Sequence, residues 1–547
     1  MLLLAFEACT TCALAWLFWK ACRTLFVRSS LDNIPGPPAT SIWTGVLGQI
    51  FNPDAWGFHE EITKKYGSVI KIKAILGENQ LYVFDPKALH QIFTKDQHIF
   101  EETPGFIEIN RLVLGPGLLG TLGESHRKQR KMLNPVFSIA HMREMMPIFY
   151  SVMYRLRDAL VTQVKDGPKE IDLLHWMSRA ALELIGQGGL GYSFDPLTEE
   201  VVPHPYIKAI KGLGPATHKI LIPGRYLLST AVKIGTPSFR RTIVNWIPWK
   251  ALHDLRDLTD VMHNVCVGIY ESKKKALLEG DEAVERQMGR GKDILSILMR
   301  ANTDASDVDR LPEEELLGQM STFIFAATDT TSGALSRLFH LLATHLNVQE
   351  KLRQELGEAR QKHGRDLSYD ELVSLPYLDA IVRETLRLYA PVNRVSRIAR
   401  QDVSLSLSNP IRGLDGCEIR NIAIPKNTVI IIGIGSCNRN PELWGPDVDE
   451  WKPERWLEPL PEAVTSAHLP GVYSNLMTFI GGSRSCIGFK FSQLEMKIVL
   501  ALLVESFKIT ASNKEIFWRM SGIVQPTVSN IHSTNFQLPV ILQSTEQ

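Results

Sequence analysis

The sequence predicts a mainly α-helical protein: one large helical domain with small β-sheets, preceded by an N-terminal transmembrane anchor. Three observations carry that expectation. Apolar residues recur at helical spacing from His253 to Leu278 and from Glu313 to Leu346. Period-two alternation is confined to short stretches such as Ser68–Lys73 and Leu81–Phe84, which read as strands. From about Ile42 onward no second linker, repeat or low-complexity block divides the chain.

The anchor comes first. Leu2 to Trp19 is apolar apart from Glu7 and two threonines, about the roughly 17–25 residues a bilayer crossing needs. Lys20, Arg23 and Arg28 follow it and no cation precedes it, which keeps the downstream chain in the cytosol and argues against a cleaved signal. Glu7 is costly there, though less so near an interface. Residues 1–28 are therefore anchor and basic flank. Residues 29–40 form a hinge around Ile34-Pro35-Gly36-Pro37-Pro38, too rich in Pro and Gly to continue a helix. Residues 41–547 make the body. Sixty Lys and Arg against 59 Asp and Glu leave little net charge and exclude a nucleic-acid partner. Seven cysteines are few and odd in number; Cys266, Cys417, Cys437 and Cys486 lack metal-ligand spacing, so a reducing compartment fits. Cys9 and Cys12 lie in the apolar run without a strand–helix context and read as membrane-embedded filler. Glu279 to Lys292 reads as a solvated loop. Gly212 to Trp249, rich in Pro, Gly, Ile, Leu and Trp, reads equally as a membrane-dipping entrance or as core.

The densest chemical signal is Phe479-x-x-Gly482-x-Arg484-x-Cys486-x-Gly488, directly before an apolar helical run through Phe491, Leu494, Ile498, Val499, Leu502 and Phe507. A thiol at a helix N-terminus meets unpaired N–H groups and the positive end of the dipole, both of which favour thiolate. Gly482 and Gly488 would let backbone pass close to a large flat group and adopt torsions that a Cβ forbids. Arg484 places a fixed positive charge two residues from the sulfur. For an arbitrary cysteine a structural role is the commoner one, but five spaced matches shift the balance. The pattern resembles the haem-binding loop of the cytochrome P450 monooxygenases, in which the cysteine is the axial thiolate of the iron.

Other segments gain meaning beside that resemblance. A helix starts near Pro312, with Glu313, Glu314 and Glu315 in its first turn, and meets Ala326-Ala327-Thr328-Asp329-Thr330-Thr331-Ser332-Gly333. Alone this could equally be a helix end with Asp329 or Thr330 as a cap. Beside the cysteine loop it resembles the family's distal helix, where a hydroxyl competing for helix hydrogen bonds opens a kink for water. The resemblance then makes Thr330 and Asp329 the proton relay of dioxygen activation. Ala327 stands where the family usually has glycine, implying a slightly tighter pocket. Glu384-x-x-Arg387 shares one helix face, and Trp451-Lys452-Pro453-Glu454-Arg455-Trp456 follows. The family unites these as a buried charge network, so Glu384, Arg387 and Arg455 are expected to be structural.

The resemblance also implies haem-propionate donors in Arg484, Arg130 and Arg397, with Phe479, Gly482 and Gly488 shaping the loop. His126 occupies the place of a common tryptophan. Arg127, Lys128 and Lys131 read as solvated charges that make a basic patch for an electron-transfer partner. Phe323, Ala326, Ala327, Val392, Asn393 and the loop Gly105 to Leu122 are expected to line an apolar substrate pocket.

The implied activity is insertion of one oxygen atom of O2 into a lipophilic molecule by haem b held by Cys486, and the chain is most similar to basidiomycete members. Too few residues follow the cysteine helix to hold flavin domains, so NADPH electrons are expected from a separate cytochrome P450 reductase, or cytochrome b5. The expected location is the endoplasmic reticulum membrane with the catalytic domain cytosolic. Secondary-metabolite, terpenoid-type hydroxylation is the expected pathway. Sterol, fatty-acid or xenobiotic hydroxylation, a rearrangement without O2, and a haem or gas sensor are the alternatives, the last two disfavoured by Asp329 and Thr330.

Overall fold

Helices form where the periodic stretches lie, in a computed structural model that describes residues 29–198, 204–289, 291–364, 366–528 and 535–545. The anchor expected over residues 1–28 falls outside the described residues. Among the described residues no helix is long and apolar enough to cross a membrane. The chain divides into two compact units.

The first unit runs to Thr103 and adds Asn393–Asp449 and Pro461–Ser485. Its sheet has the strand order Val69–Lys73, Asn79–Val83, Val429–Gly433, Arg394–Ala399, Phe100–Glu101. Asn79–Val83 pairs in parallel with Val429–Gly433, and the other pairings are antiparallel. Val429–Gly433 is buried throughout, as its unbroken apolar run requires of a central strand. The proline-rich segment lies on this sheet: Lys71 N donates to Pro35 O at 2.9 Å. A Cβ on Gly36 would stand 1.9 Å from Lys71 O, so only glycine allows the approach. The expected hinge is thus pinned to an edge strand, because buried Ile34 gains more from packing than from solvent.

The second unit, Pro104–Val392 with Glu450–Leu460 and the chain from Cys486 onward, is helical around Glu313–Thr344. That 32-residue helix packs on Leu173–Leu184, Lys250–Glu279 and Phe489–Ser506. Small sheets complete the unit: Lys169–Asp172, Pro539–Ser544 and Phe507–Ala511 in one, and the hairpin Phe517–Ser521 with Ile523–Thr527. Three expectations change here. The cysteine helix ends at Ser506, and extended Phe507 (φ −136°, ψ 143°) opens a strand opposite Ser544. His345 (φ −122°, ψ 71°) ends the long helix, so Leu346 begins the next one, Leu346–His363. Glu279 to Lys292 is not a simple loop: Gly280 (φ 104°) turns the chain into a short helix, Asp281–Glu285, that buries Val284. Gly212 to Trp249 is core only at its start, where Leu213, Ala216 and Ile220 are buried; the described residues from Leu221 to Trp249 include none that is buried.

The helix Pro376–Leu388 is tied down by one carboxylate. Glu384 is fully buried and accepts from Arg387 Nε (2.9 Å) and Nη2 (2.8 Å), Trp456 Nε1 (2.9 Å), Lys452 N (3.2 Å) and Arg455 Nε (3.4 Å). Trp451 Nε1 donates to the neighbouring Thr385 Oγ1 at 2.9 Å. The same helix holds the cysteine helix through buried Lys497, whose Nζ lies 2.7 Å from Asp379 Oδ1. Removing one member of so buried a set strands the others' charge. Glu384→Ala is expected to cost about 3–5 kcal/mol of stability, read as a lower urea midpoint with the denaturant slope unchanged.

Candidate functional site

In the second unit the long helix is buried along most of its length, yet Ala326 is exposed and Phe325, Ala327, Asp329 and Thr330 are half-buried. Small side chains thus leave this stretch accessible on a helix that is otherwise core. Thr330 Oγ1 donates to Ala326 O at 2.6 Å, and Thr328 Oγ1 to Ile324 O at 2.7 Å. These hydroxyls compete for helix carbonyls, as the sequence suggests, but the helix runs unbroken through them. Burial pushes the Asp329 carboxyl up to about 6, and only the Lys211 ammonium opposes it. Lys211 is itself lowered by burial and raised by Asp329 and Asp172.

Cys486 precedes the helix Phe489–Ser506 by three residues. Cys486 is exposed as a residue, yet burial by the surrounding protein is the largest influence on its thiol and raises the pKa. The Gly488 N–H and the positive charge of Arg130 pull it down. A Cβ on Gly488 would meet nothing within 4 Å, and its φ of −86° is open to any residue. Glycine there leaves space and is not needed for its torsion, contrary to expectation. Arg130, on Gly123–Leu133, has its pKa lowered by burial and donates Nε to Asn134 Oδ1 at 3.2 Å. His126 on the same helix is buried. Phe323 is buried with its ring edge-on to Phe137, centroids 5.5 Å apart. Val392 is half-buried. Of the basic patch, Arg127 pairs with Glu124 at 2.9 Å and Lys131 with Asp309 at 3.0 Å, and Lys128 donates to Arg310 O at 2.7 Å. Two of its three charges are therefore locally offset.

In the first unit, buried Arg397 and half-buried Arg484 meet on Glu102, at 3.3 Å and 3.1 Å. Gly482 does need glycine: its φ is +72°, and a Cβ would lie 1.9 Å from Phe93 O. The constraint is that neighbouring backbone, not a flat ligand. Phe479 packs edge-on to Tyr473, and Asn393 Oδ1 would lie 1.9 Å from a Cβ on Gly435, so glycine there leaves room for the amide. Glu102 and Lys211 were not foreseen. Glu102 is signalled by lying next in register to the strand that carries Arg397; Lys211 has no local signal.

These residues suit a haem. A sulfur with an N–H donor and the positive charge of Arg130 acting on it, and open space at Gly488, match a thiolate-ligated iron. The chain matches the Cytochrome P450 family over residues 35–533. It is 54% identical over 517 residues to cytochrome P450 monooxygenase 91 of Postia placenta, covering 94% of this chain and 95% of that one. A ganoderic acid synthetase of Ganoderma lucidum is 45% identical, with 94% of each covered. A cytochrome P450 monooxygenase of Hericium erinaceus is 37% identical, with 92% of each covered. This chain belongs to the cytochrome P450 monooxygenase family, and it is an oxidoreductase. Membership implies haem held by a cysteine thiolate, a role for which Cys486 has the family's motif around it.

Asp329 gives this site a pH signature. Its folded pKa of about 6 exceeds the unfolded 3.8, so ionisation opposes folding, fully above pH 6 and less as pH falls. Asp329→Asn should therefore stabilise the protein by up to about 3 kcal/mol at pH 8 and by about half that at pH 5, measured by urea unfolding at both pH values.

Proposed function

We propose that this protein hydroxylates a lipophilic, terpenoid-type molecule, using dioxygen and electrons that an NADPH-dependent reductase delivers at a membrane surface. The carrying observation is the exposed Ala326 in a buried helix, with Asp329 and Thr330 one turn on. Bound haem supplies the reductive activation of dioxygen and the insertion of one oxygen atom. The chain's own part is positional and protonic. Small Ala326 and Ala327 leave room for substrate. The Asp329 carboxyl, near 6, can release and recover a proton at neutral pH. The Thr330 hydroxyl, seated on Ala326 O, holds a donor at this accessible stretch. Support for a terpenoid substrate is the relative named for ganoderic acid, a terpenoid.

Attachment to the cytosolic face of the endoplasmic reticulum membrane would come from the N-terminal apolar run and from the Pro237–Trp246 helix. That helix exposes Phe239, Ile243 and Trp246, the last at 81%. Its Arg240 and Arg241 supply the cationic flank of an interfacial helix.

Reconstitution with a fungal NADPH–cytochrome P450 reductase and a terpenoid panel tests the activity. Product carrying one atom from ¹⁸O2 and dependent on NADPH is expected; a rearranged product formed without either would refute it. Thr330→Ala should lower product formation on the order of 100-fold while NADPH consumption continues as hydrogen peroxide. Trp246→Glu should weaken vesicle binding of protein lacking residues 1–28 in a flotation assay, with the melting temperature unchanged.

A further inference from the structure

A cavity of about 260 Å³ lies within the second unit, and its lining includes no residue assigned to the haem or to the proton relay. One wall is a single face of the helix Lys250–Glu279, where Val265, Gly268, Ile269, Ser272 and Lys273 recur at helical spacing. A Cβ on Gly268 would meet nothing within 4 Å, so that glycine leaves part of the space. Gly191, Tyr192, His204 and Gln287 complete the cavity.

Its polar groups carry no net charge and are incompletely bonded. Lys273 is 2% exposed, and its ammonium donates to Asp293 Oδ2 at 2.8 Å and to Ser296 Oγ at 3.0 Å. Asp293 is fully buried too, so cation and anion cancel. An ammonium has three N–H donors, and the third has no partner among the described residues. A Cβ on Gly191 would stand 2.3 Å from Lys273 Nζ, which puts the ammonium against a glycine of the same cavity. His204 Nδ1 accepts from Tyr206 N at 3.2 Å, and burial holds the ring's pKa below its usual value, so its one proton is on Nε2. Nε2 then donates to Tyr192 Oη at 3.3 Å and leaves the phenol's own hydrogen unused. Gln287 Nε2 donates to Ser272 O at 3.4 Å, while its Oε1 is buried without a partner among the described residues.

Two spare donors and one spare acceptor thus stand beside apolar Val265 and Ile269. A charged ligand would lose its water there without gaining a counter-ion. A hydroxyl both accepts and donates, which is what these groups lack. We infer that this cavity is a binding site for a small neutral alcohol. The ligand's hydroxyl accepts from Lys273 and Tyr192 and donates to Gln287, and its hydrocarbon part lies on Val265 and Ile269. The volume falls below the roughly 300–1,000 Å³ of pockets for drug-sized ligands, which keeps the ligand small.

The test is ligand-observed saturation-transfer NMR on the purified full-length protein, with cyclohexanol as probe and cyclohexanecarboxylate as its charged counterpart. Wild type should give a signal that saturates with cyclohexanol concentration, and the carboxylate should bind about tenfold more weakly or worse. Tyr192→Phe removes one donor and should raise the dissociation constant about fivefold. Gly268→Leu fills the open space and should flatten the cyclohexanol curve. Leucine favours helix over glycine, so this variant keeps the fold and decides the matter if Tyr192→Phe does not. A wild-type curve that never saturates, an unchanged curve in Gly268→Leu, or equal binding of the carboxylate would overturn the inference. Each of these outcomes leaves the proposed oxidation standing.

Discussion

The buried Glu384 carboxylate is the constraint on which the second unit's site depends. A charge with no solvent exposure survives only if its lone pairs are filled, and here guanidinium, indole and backbone donors from two separated segments fill them. That requirement fixes Pro376–Leu388 against Pro453–Trp456. The Lys497–Asp379 pair then carries the restraint into the helix that follows Cys486. A thiolate ligand must be held in place before metal binds, and a rigid helix behind it is how the chain achieves this.

The chemistry of the site is a balance of opposed charges and burial. At Cys486 desolvation favours thiol, while one N–H and Arg130 favour thiolate. At Asp329 desolvation wins over the Lys211 ammonium, leaving a carboxyl with a pKa of about 6. At Glu102 one carboxylate pairs with two guanidinium groups. None of these groups is unusual alone; each has its behaviour set by neighbours distant in sequence.

That separation explains what the sequence could and could not disclose. The long helices and the first two strands were legible because period and turn chemistry are local, whereas the Glu384 network was legible only through the family resemblance, since Glu-x-x-Arg alone is a common surface pair. The cysteine loop was legible because several residues of fixed type stand close together. Tertiary packing decided the rest. The family resemblance makes Phe323 a pocket residue, and packing buries its ring against Phe137. Gly482 answers to the Phe93 carbonyl, more than 380 residues earlier. Phe507 continues an apolar period yet is taken by a strand partner. The stretch Leu221 to Trp249 is apolar without being core, which composition alone cannot separate from burial.

The central claim is that the sulfur of Cys486 holds a haem iron. The most direct measurement is the reduced, carbon-monoxide-bound absorption spectrum of wild type beside Cys486→Ser. The account predicts the long-wavelength Soret band of thiolate ligation in wild type and its loss in the variant. The same band in both proteins, or none in haem-supplemented wild type, would contradict it.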